Sequence, residues 1–198
     1  MSKTTIPTAG LADDAVDLTS KVTGALPIAN GGTALTTGFV NGGGLTVADQ
    51  WYLSSSLDTS SSFVTANLSQ NTGNGRGSLG TAMSQSSGIF TFPSTGFYLV
   101  IFNACIESSS DDSRYISCEI FVTTDNSSYN AIQRNSGNIT NQSDARDTNA
   151  PVFAIVDVTD TSNVKVKFNF AAESTVGLAG ASGVQRKTTF SFLRLGDT

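Results

Sequence analysis

The chain has no histidine at all, only two cysteines, two methionines and one tryptophan in 198 residues, and charged side chains make up only 14% of it. Each shortage excludes something. Without imidazole, the side chain most often used for proton transfer near neutral pH and the commonest metal ligand is missing, which leaves little basis for catalysis. A serine nucleophile would have to rely on Lys or a carboxylate as base, and no Ser-x-x-Lys phrase stands in a helical context. Two thiols, Cys105 and Cys118, are too few for a disulfide framework; they lie in apolar, strand-like sequence and read as buried free thiols that could also meet across neighbouring strands. With a net charge of −5 and no basic run, the footprint that displaces counterions from a phosphate backbone is lacking, so nucleic acid is not an expected partner. No apolar run reaches the ~18 residues that span a bilayer, and Met1-Ser2-Lys3-Thr4-Thr5 leads into polar sequence rather than the apolar region of a signal peptide, so neither a membrane nor ordinary export is expected.

What is plentiful is glycine, serine, threonine and asparagine around a modest 38% of hydrophobic residues, the profile of short strands joined by polar turns. Two regions separate on this basis. Residues 1–50 read as an attachment arm with a Gly-rich linker: from Thr4 to Asp49 the only aromatic is Phe39, and so little apolar surface cannot offset the entropy of ordering. Leu11, Ala15, Leu18 and Val22 follow one another at spacings of four, three and four, under two heptads of the pattern by which helices associate, with Asp13 and Asp14 in the first turn and Lys21 in the last. These four residues are the expected anchor, on a short helix or on an extended arm. The glycines of Asn30-Gly31-Gly32-Thr33 and Asn41-Gly42-Gly43-Gly44 do not make a phosphate loop, because no strand precedes them and no Gly-Lys-Ser/Thr follows.

Residues 51–198 read as one all-β domain. Apolar segments of five to eight residues alternate with Ser/Asn/Asp/Gly turns, as in a sandwich or jelly roll. Ile116, Cys118, Ile120 and Val122 oppose Ser117, Glu119 and Thr123; Val164, Val166, Phe168 and Phe170 oppose Lys165, Lys167 and Asn169; Phe190 and Phe192 oppose Thr189 and Ser191. Two segments break this alternation. Phe97-Tyr98-Leu99-Val100-Ile101-Phe102 and Val152-Phe153-Ala154-Ile155-Val156 are apolar on both faces, so one face should be core and the other should meet something else. Phe97, Tyr98, Leu99, Ile101, Phe153 and Ile155 are therefore the expected oligomer-interface residues, with cover by loops of the same chain as the alternative. The acidic residues Asp111, Asp112, Glu119, Asp144, Asp147, Asp157, Asp160 and Glu173 stand mostly in polar turns, where solvated charge is the ordinary state. Asp111-Asp112 with Asp144 and Asp147 could offer oxygen ligands to Ca2+, yet no Asp-x-Asp-x-Asp-Gly loop exists, and no metal or cofactor is expected.

Two stretches carry family resemblances. Residues 9–33, Ala9-Gly10-Leu11-Ala12-Asp13-Asp14-Ala15-Val16-Asp17-Leu18-Thr19-Ser20-Lys21-Val22-Thr23-Gly24 followed by Leu26-Pro27-Ile28-Ala29-Asn30-Gly31-Gly32-Thr33, resemble the linker repeats of tail fibres of tailed bacteriophages, especially marine and cyanobacterial ones. That family's phrase usually ends Asn-Gly-Gly-Thr-Gly and recurs along a shaft, whereas Ala34 stands here in place of the last glycine and there is one copy. Gly88-Ile89-Phe90-Thr91-Phe92-Pro93-Ser94-Thr95-Gly96-Phe97-Tyr98-Leu99-Val100 and the ending Phe190-Ser191-Phe192-Leu193-Arg194-Leu195 are similar to the central strand pair and last strand of the complement-head and tumour necrosis factor (TNF) superfamily, with Pro93 and Gly96 making the turn. This second resemblance implies a jelly roll that trimerises around apolar and aromatic residues; the polar stretch Asn135 to Asn149 departs from it and is expected as an elaborated loop. Together they imply a non-enzymatic virion protein, made in the host cytoplasm and bound to other phage proteins of tail or capsid. It would be a tail fibre or fibre tip whose homotrimeric head meets a host surface glycan or protein, or else a capsid decoration or cement protein at threefold positions.

Overall fold

The computed structural model describes residues 44–58, 61–108, 112–140, 146–174 and 176–198. The expected arm anchor, Leu11, Ala15, Leu18 and Val22, and the acids Asp111 and Asp144 lie outside the described residues. Leu45–Thr198 forms one compact unit. Its first strand, β1 (Ala48–Leu53), begins three residues before the boundary expected at Trp51. Ala48 and Asp49 belong to the head because they sit in register with Leu193 and Phe192 of the last strand.

Thirteen strands and no helix occur among the described residues. One sheet takes β2 (Leu57–Asp58), β12 (Gly177–Leu178), β7 (Gly96–Ser108), β13 (Thr189–Gly196), β1 and β4 (Leu68–Gln70), and β10 (Arg146–Val158) joins it along the other side of β7. The facing sheet takes β5 (Ser84–Ser86), β6 (Ile89–Thr91), β11 (Lys165–Ala172), β8 (Ser113–Thr123) and β9 (Asn130–Ile139), with β3 (Ser61–Phe63) on β11. Every named pairing is antiparallel. The result is a two-sheet sandwich of jelly-roll type, with inner side chains alternating along each strand.

Phenylalanine fills the space between the sheets. Phe90, Phe102, Phe168, Phe190 and Phe192 are fully buried. Phe102 lies flat on Phe190 at 4.9 Å, Phe168 meets Phe190 at 4.7 Å, and Trp51 stands edge-on to Phe90 at 5.5 Å. Rings of this size bury large apolar area and add a geometric preference, which lets a sandwich of short strands specify one packing. The expected inward sets of β8 and β11 are buried as read: Ile116, Cys118, Ile120 and Val122 in the first, and Val166, Phe168 and Phe170, preceded by Val164, in the second.

Three sequence expectations are corrected. The segment after Phe92 does not close a hairpin: β6 pairs with β5 and β11, whereas β7 lies in the other sheet, so Pro93–Gly96 carries the chain across the sandwich. Gly96 takes φ +135° there, and a Cβ on it would meet the Gly196 carbonyl oxygen at 2.4 Å. Most of the polar stretch from Asn135 to Asn149 is strand rather than loop. Asn135–Ile139 ends β9 and residues 146–149 open β10, because main-chain pairing to β8 and β7 outweighs the weak intrinsic strand preference of Asn, Ser, Gly and Asp. Ser117 and Thr123, expected on the solvent side of β8, are both buried, and Thr123 donates its hydroxyl to Asp125 at 2.7 Å.

One buried charge pins the open side of the first sheet. Asp49 is 4% exposed and its carboxylate accepts four N–H groups at 2.9–3.0 Å, from the Gln50 and Met83 main chain, the Trp51 indole and the Gln70 amide. A buried carboxylate is tolerated when its lone pairs are filled in this way.

Candidate functional site

β7 and β10 run side by side over their whole length, and their alternation decides which apolar residues are spare. Tyr98, Val100 and Phe102 point into the sandwich, as do Val152, Val156 and Val158. The opposite phase points away from it: Phe97, Leu99 and Ile101 on β7, and Phe153 and Ile155 on β10. Phe153 is in register with Ile101, and Ile155 with Leu99, which in turn faces Leu193 on β13. These side chains make a continuous apolar surface on the outer face of the sheet. Phe153 and Ile155 are the most exposed members at 64% and 62%, while Leu99 and Ile101 are half-buried. Leu195, at the register irregularity near the end of β13, is exposed as well.

Five of the six residues expected at an interface are thus brought together on this face, and Tyr98 is not. Its ring is fully buried, 4.7 Å from that of Phe92, and its hydroxyl bonds the Ser94 hydroxyl and donates to the Ser94 carbonyl. Period two places neighbours on opposite faces, so a run apolar on both sides divides into core and surface residue by residue. Ala48 and Leu193 also belong to the surface and were missed by sequence reading, because each sits in an unremarkable alternating strand and only registry brings Leu193 beside Leu99 and Ala48 beside Leu193.

Toward the other end of β7 the same face turns polar. Lys187 lies 3.5 Å from Asp147 and 3.6 Å from Glu107. Burial works against its charge, but the two carboxylates outweigh that and hold the ammonium above the usual lysine range. Cys105, on the outward phase beside them, has its thiol pushed up by burial and by Asp147. Cys118 lies in the other sheet, where burial pushes its thiol up to about 12. Both cysteines are free thiols.

At the far side of the sheet lies a concavity of about 350 Å3 between β1, β13 and the segment after β4, lined by Ala48, Gln50, Asn71, Arg76, Ser191 and Leu193 among others. Asn71 is 3% exposed; its N–H donates to the Gln50 carbonyl at 2.7 Å and its amide donates to the Gln50 side chain, yet its Oδ1 has no partner among the described residues. The Gln50 amide in turn donates to the Ser191 hydroxyl at 3.0 Å. Arg76 donates to the carbonyls of Gly73 and Val184, tying two tight turns together.

The remaining acids are engaged locally or solvated. Asn169 donates to Glu119 at 2.9 Å, Glu173 pairs with Arg114, which holds its carboxyl below the usual range, and Asp160 accepts from Ser162 and Asn163 at 2.7 Å. Asp112 and Asp157 are exposed. No group of three or more potential metal ligands occurs among the described residues.

Neither a protein-family model nor a curated protein matches this sequence. Solved structures do match the fold. Eiger TNF from S. frugiperda superposes with a TM-score of 0.54 at 12% identity, over 76% of this chain and 93% of that one. Murine APRIL, in its pH 5.0 crystal structure, superposes with a TM-score of 0.51 at 12% identity, over 75% of this chain and 98% of that one. At such identity the likeness speaks for architecture alone, and with the two antiparallel sheets and the inward phenylalanines it establishes that residues 45–198 form a TNF-like jelly roll.

Proposed function

We propose that this chain is a non-enzymatic structural protein of a tailed-phage virion, a tail fibre or fibre tip, anchored by residues 1–44 and carrying a homotrimeric jelly-roll head that meets a host-surface glycan or protein. The observation that carries the reading is the outward apolar surface of Phe97, Leu99, Ile101, Phe153 and Ile155 on a TNF-like sandwich, joined in one chain to a fibre-like phrase at residues 9–33. Burial of apolar area contributes about 2.5 kcal/mol per 100 Å2, so a few hundred Å2 per copy favours stable self-association. Copies assembled through this face leave the Ser/Asn/Asp-rich turns at the ends of the sandwich available to a host.

A second reading is favoured by the departure of the linker phrase from the fibre pattern at Ala34: a capsid decoration or cement protein, whose arm clamps neighbouring coat subunits while the head caps a threefold position. Copy number separates the two. Quantitative mass spectrometry of purified particles against the major coat protein is expected to return a few to a few tens of copies for a fibre. Hundreds would move the protein to the capsid, and absence from the particle would end the virion reading. Light scattering of the purified chain tests the trimer independently.

A further inference from the structure

The second sheet carries on its outer face a cation that its own chain does not pair. The outward phase of β11 is Lys165, Lys167 and Asn169, opposite the inward Val166, Phe168 and Phe170. Lys165 donates to the Thr91 hydroxyl and the Thr161 carbonyl, both at 3.1 Å, and on β8 Glu119 accepts from Asn169 at 2.9 Å and lies 3.6 Å from Arg134 of β9. Lys167 has no such partner. Its Nζ lies 3.7 Å from the centre of the Phe63 ring and 4.1 Å from that of Tyr129, and among the described residues neither a hydrogen bond nor an ion pair reaches it. Phe121 stands edge-on to Phe63 at 5.0 Å, and all four residues are half-buried. Registry builds the cluster: Phe121 is opposite Lys167, and Phe63 is opposite Asn169. Tyr129 comes from the turn after β8, which Asp125 locks by accepting from the Thr123 hydroxyl and the Ser127 and Ser128 main-chain N–H groups at 2.7–2.9 Å.

We propose that this face binds an acidic polysaccharide, with a uronate carboxylate on the Lys167 ammonium and the sugar ring against Phe121 and Tyr129. The inference rests on the host-surface reading and names the chemistry of the glycan. An ammonium beside aromatic rings is attracted by their quadrupoles but keeps N–H donors that the rings do not fill. Burial holds this amine below the usual lysine range, and a carboxylate brought against it would offset that cost. One ammonium matches the single charge of a carboxylate, whereas a phosphate, more highly charged and with more acceptor oxygens, calls for more donors than Lys167 supplies. The C–H face of a sugar ring packs on aromatic side chains as other apolar ligand surfaces do, which is why rings beside a lone cation fit a charged sugar better than a bare ion. The neighbouring acids offer little opposition, because Asp125 is filled by its three donors and Glu119 by Asn169 and Arg134. Strand registry and the locked turn hold the rings in place beforehand, so little ordering is lost on binding. The site lies in the other sheet from Phe153 and Ile155, and copies that associate through those residues leave it open.

The test titrates the full 198-residue chain by calorimetry with oligomers of galacturonate, glucuronate and mannuronate, with methyl-esterified galacturonate oligomers and with sulfated dextran. Binding to at least one uronate is expected, and removing its charge should weaken it about tenfold. Lys167→Met keeps an apolar stem on the rings and removes a half-buried charge, so its unfolding midpoint should stay close to native while uronate binding falls by the same factor. Lys167→Arg should retain most of the binding, and Tyr129→Ala, on the turn, should lose part of it. Failure to bind all three uronates, or native-strength binding by Lys167→Met, would overturn the proposal. Equal binding of a uronate oligomer and its uncharged counterpart would do the same, and so would sulfated dextran bound as tightly as any uronate, since that is attraction of anions in general. The virion reading stands or falls separately: a chain found in purified particles that binds no uronate loses this site and keeps its structural role, and one that binds uronate through Lys167 but is absent from particles keeps the site and loses the role.

Discussion

Phe102 on β7 and Phe190 on β13 sit directly opposite each other in register, and their rings stack at 4.9 Å with only 12° between planes, so the pairing of the two strands and the packing of the core are settled at one point. Phe168 from the facing sheet closes on both rings. Truncating Phe190 to alanine empties the centre of the sandwich and should cost about 3–5 kcal/mol. Thermal unfolding by circular dichroism is expected to show a large fall in midpoint, and a shift of a degree or two would mean that the centre of the core lies elsewhere.

Asp49→Ala should be nearly as damaging despite removing a polar group. Four N–H donors would lose their acceptor inside the protein, and hydrogen bonds to a charged group contribute about 1.5–3 kcal/mol each. Asp49→Asn should also destabilise, because its amide nitrogen brings another donor to a site already crowded with them. Urea titration of both variants checks this, and native-like midpoints would mean that the donors find other acceptors.

Phe153→Arg and Tyr98→Ala separate surface from core on adjacent, paired strands. The first is expected to leave unfolding in dilute solution close to native while shifting light-scattering mass toward the monomer. The second should lower stability by several kcal/mol, about 3–5 by analogy with other buried aromatics, with the hydroxyl contacts at Ser94 lost as well. If Phe153→Arg unfolded the protein, or left assembly untouched, the outer face would not be the contact surface.

Cys118 should resist thiol reagents at pH 8 until the protein unfolds, since burial pushes its thiol up to about 12 and the reactive thiolate is suppressed. The same shift bears on alkaline stability. Between the ordinary thiol value of 9.0 and about 12 the folded chain keeps this proton while the unfolded chain releases it. Folded protein therefore binds more protons in that window, and stability falls as pH rises through it, with no contribution from this group below pH 9. Denaturant midpoints from pH 8 to 11 are expected to fall in the native chain and to fall less in Cys118→Ala, measured from that variant's own lower starting point.

Much of this protein was legible in its sequence because strand periodicity is local. Ile116 to Val122 and Val164 to Phe170 announce their buried faces by alternation alone, and the runs 97–102 and 152–156 announce that a second face needs cover. A local signal says which residues share a face, not which face is inside. Tyr98 and Phe97 carry equal apolar weight in the sequence, and only the sandwich, by placing Phe92 against the first and turning the second to the outer face, made one core and the other surface. Registry was equally hidden. The concavity joins Gln50, Asn71, Arg76 and Ser191 across up to 141 positions of chain, and the polar segment at Asn135–Asn149 became strand because β8 and β7 offered it hydrogen bonds that its own residue types do not favour. Composition and alternation determined a β-sandwich with spare apolar surface; which side chains form that surface was decided by long-range pairing, since an antiparallel ladder fixes the phase of each strand through its neighbours and not through itself.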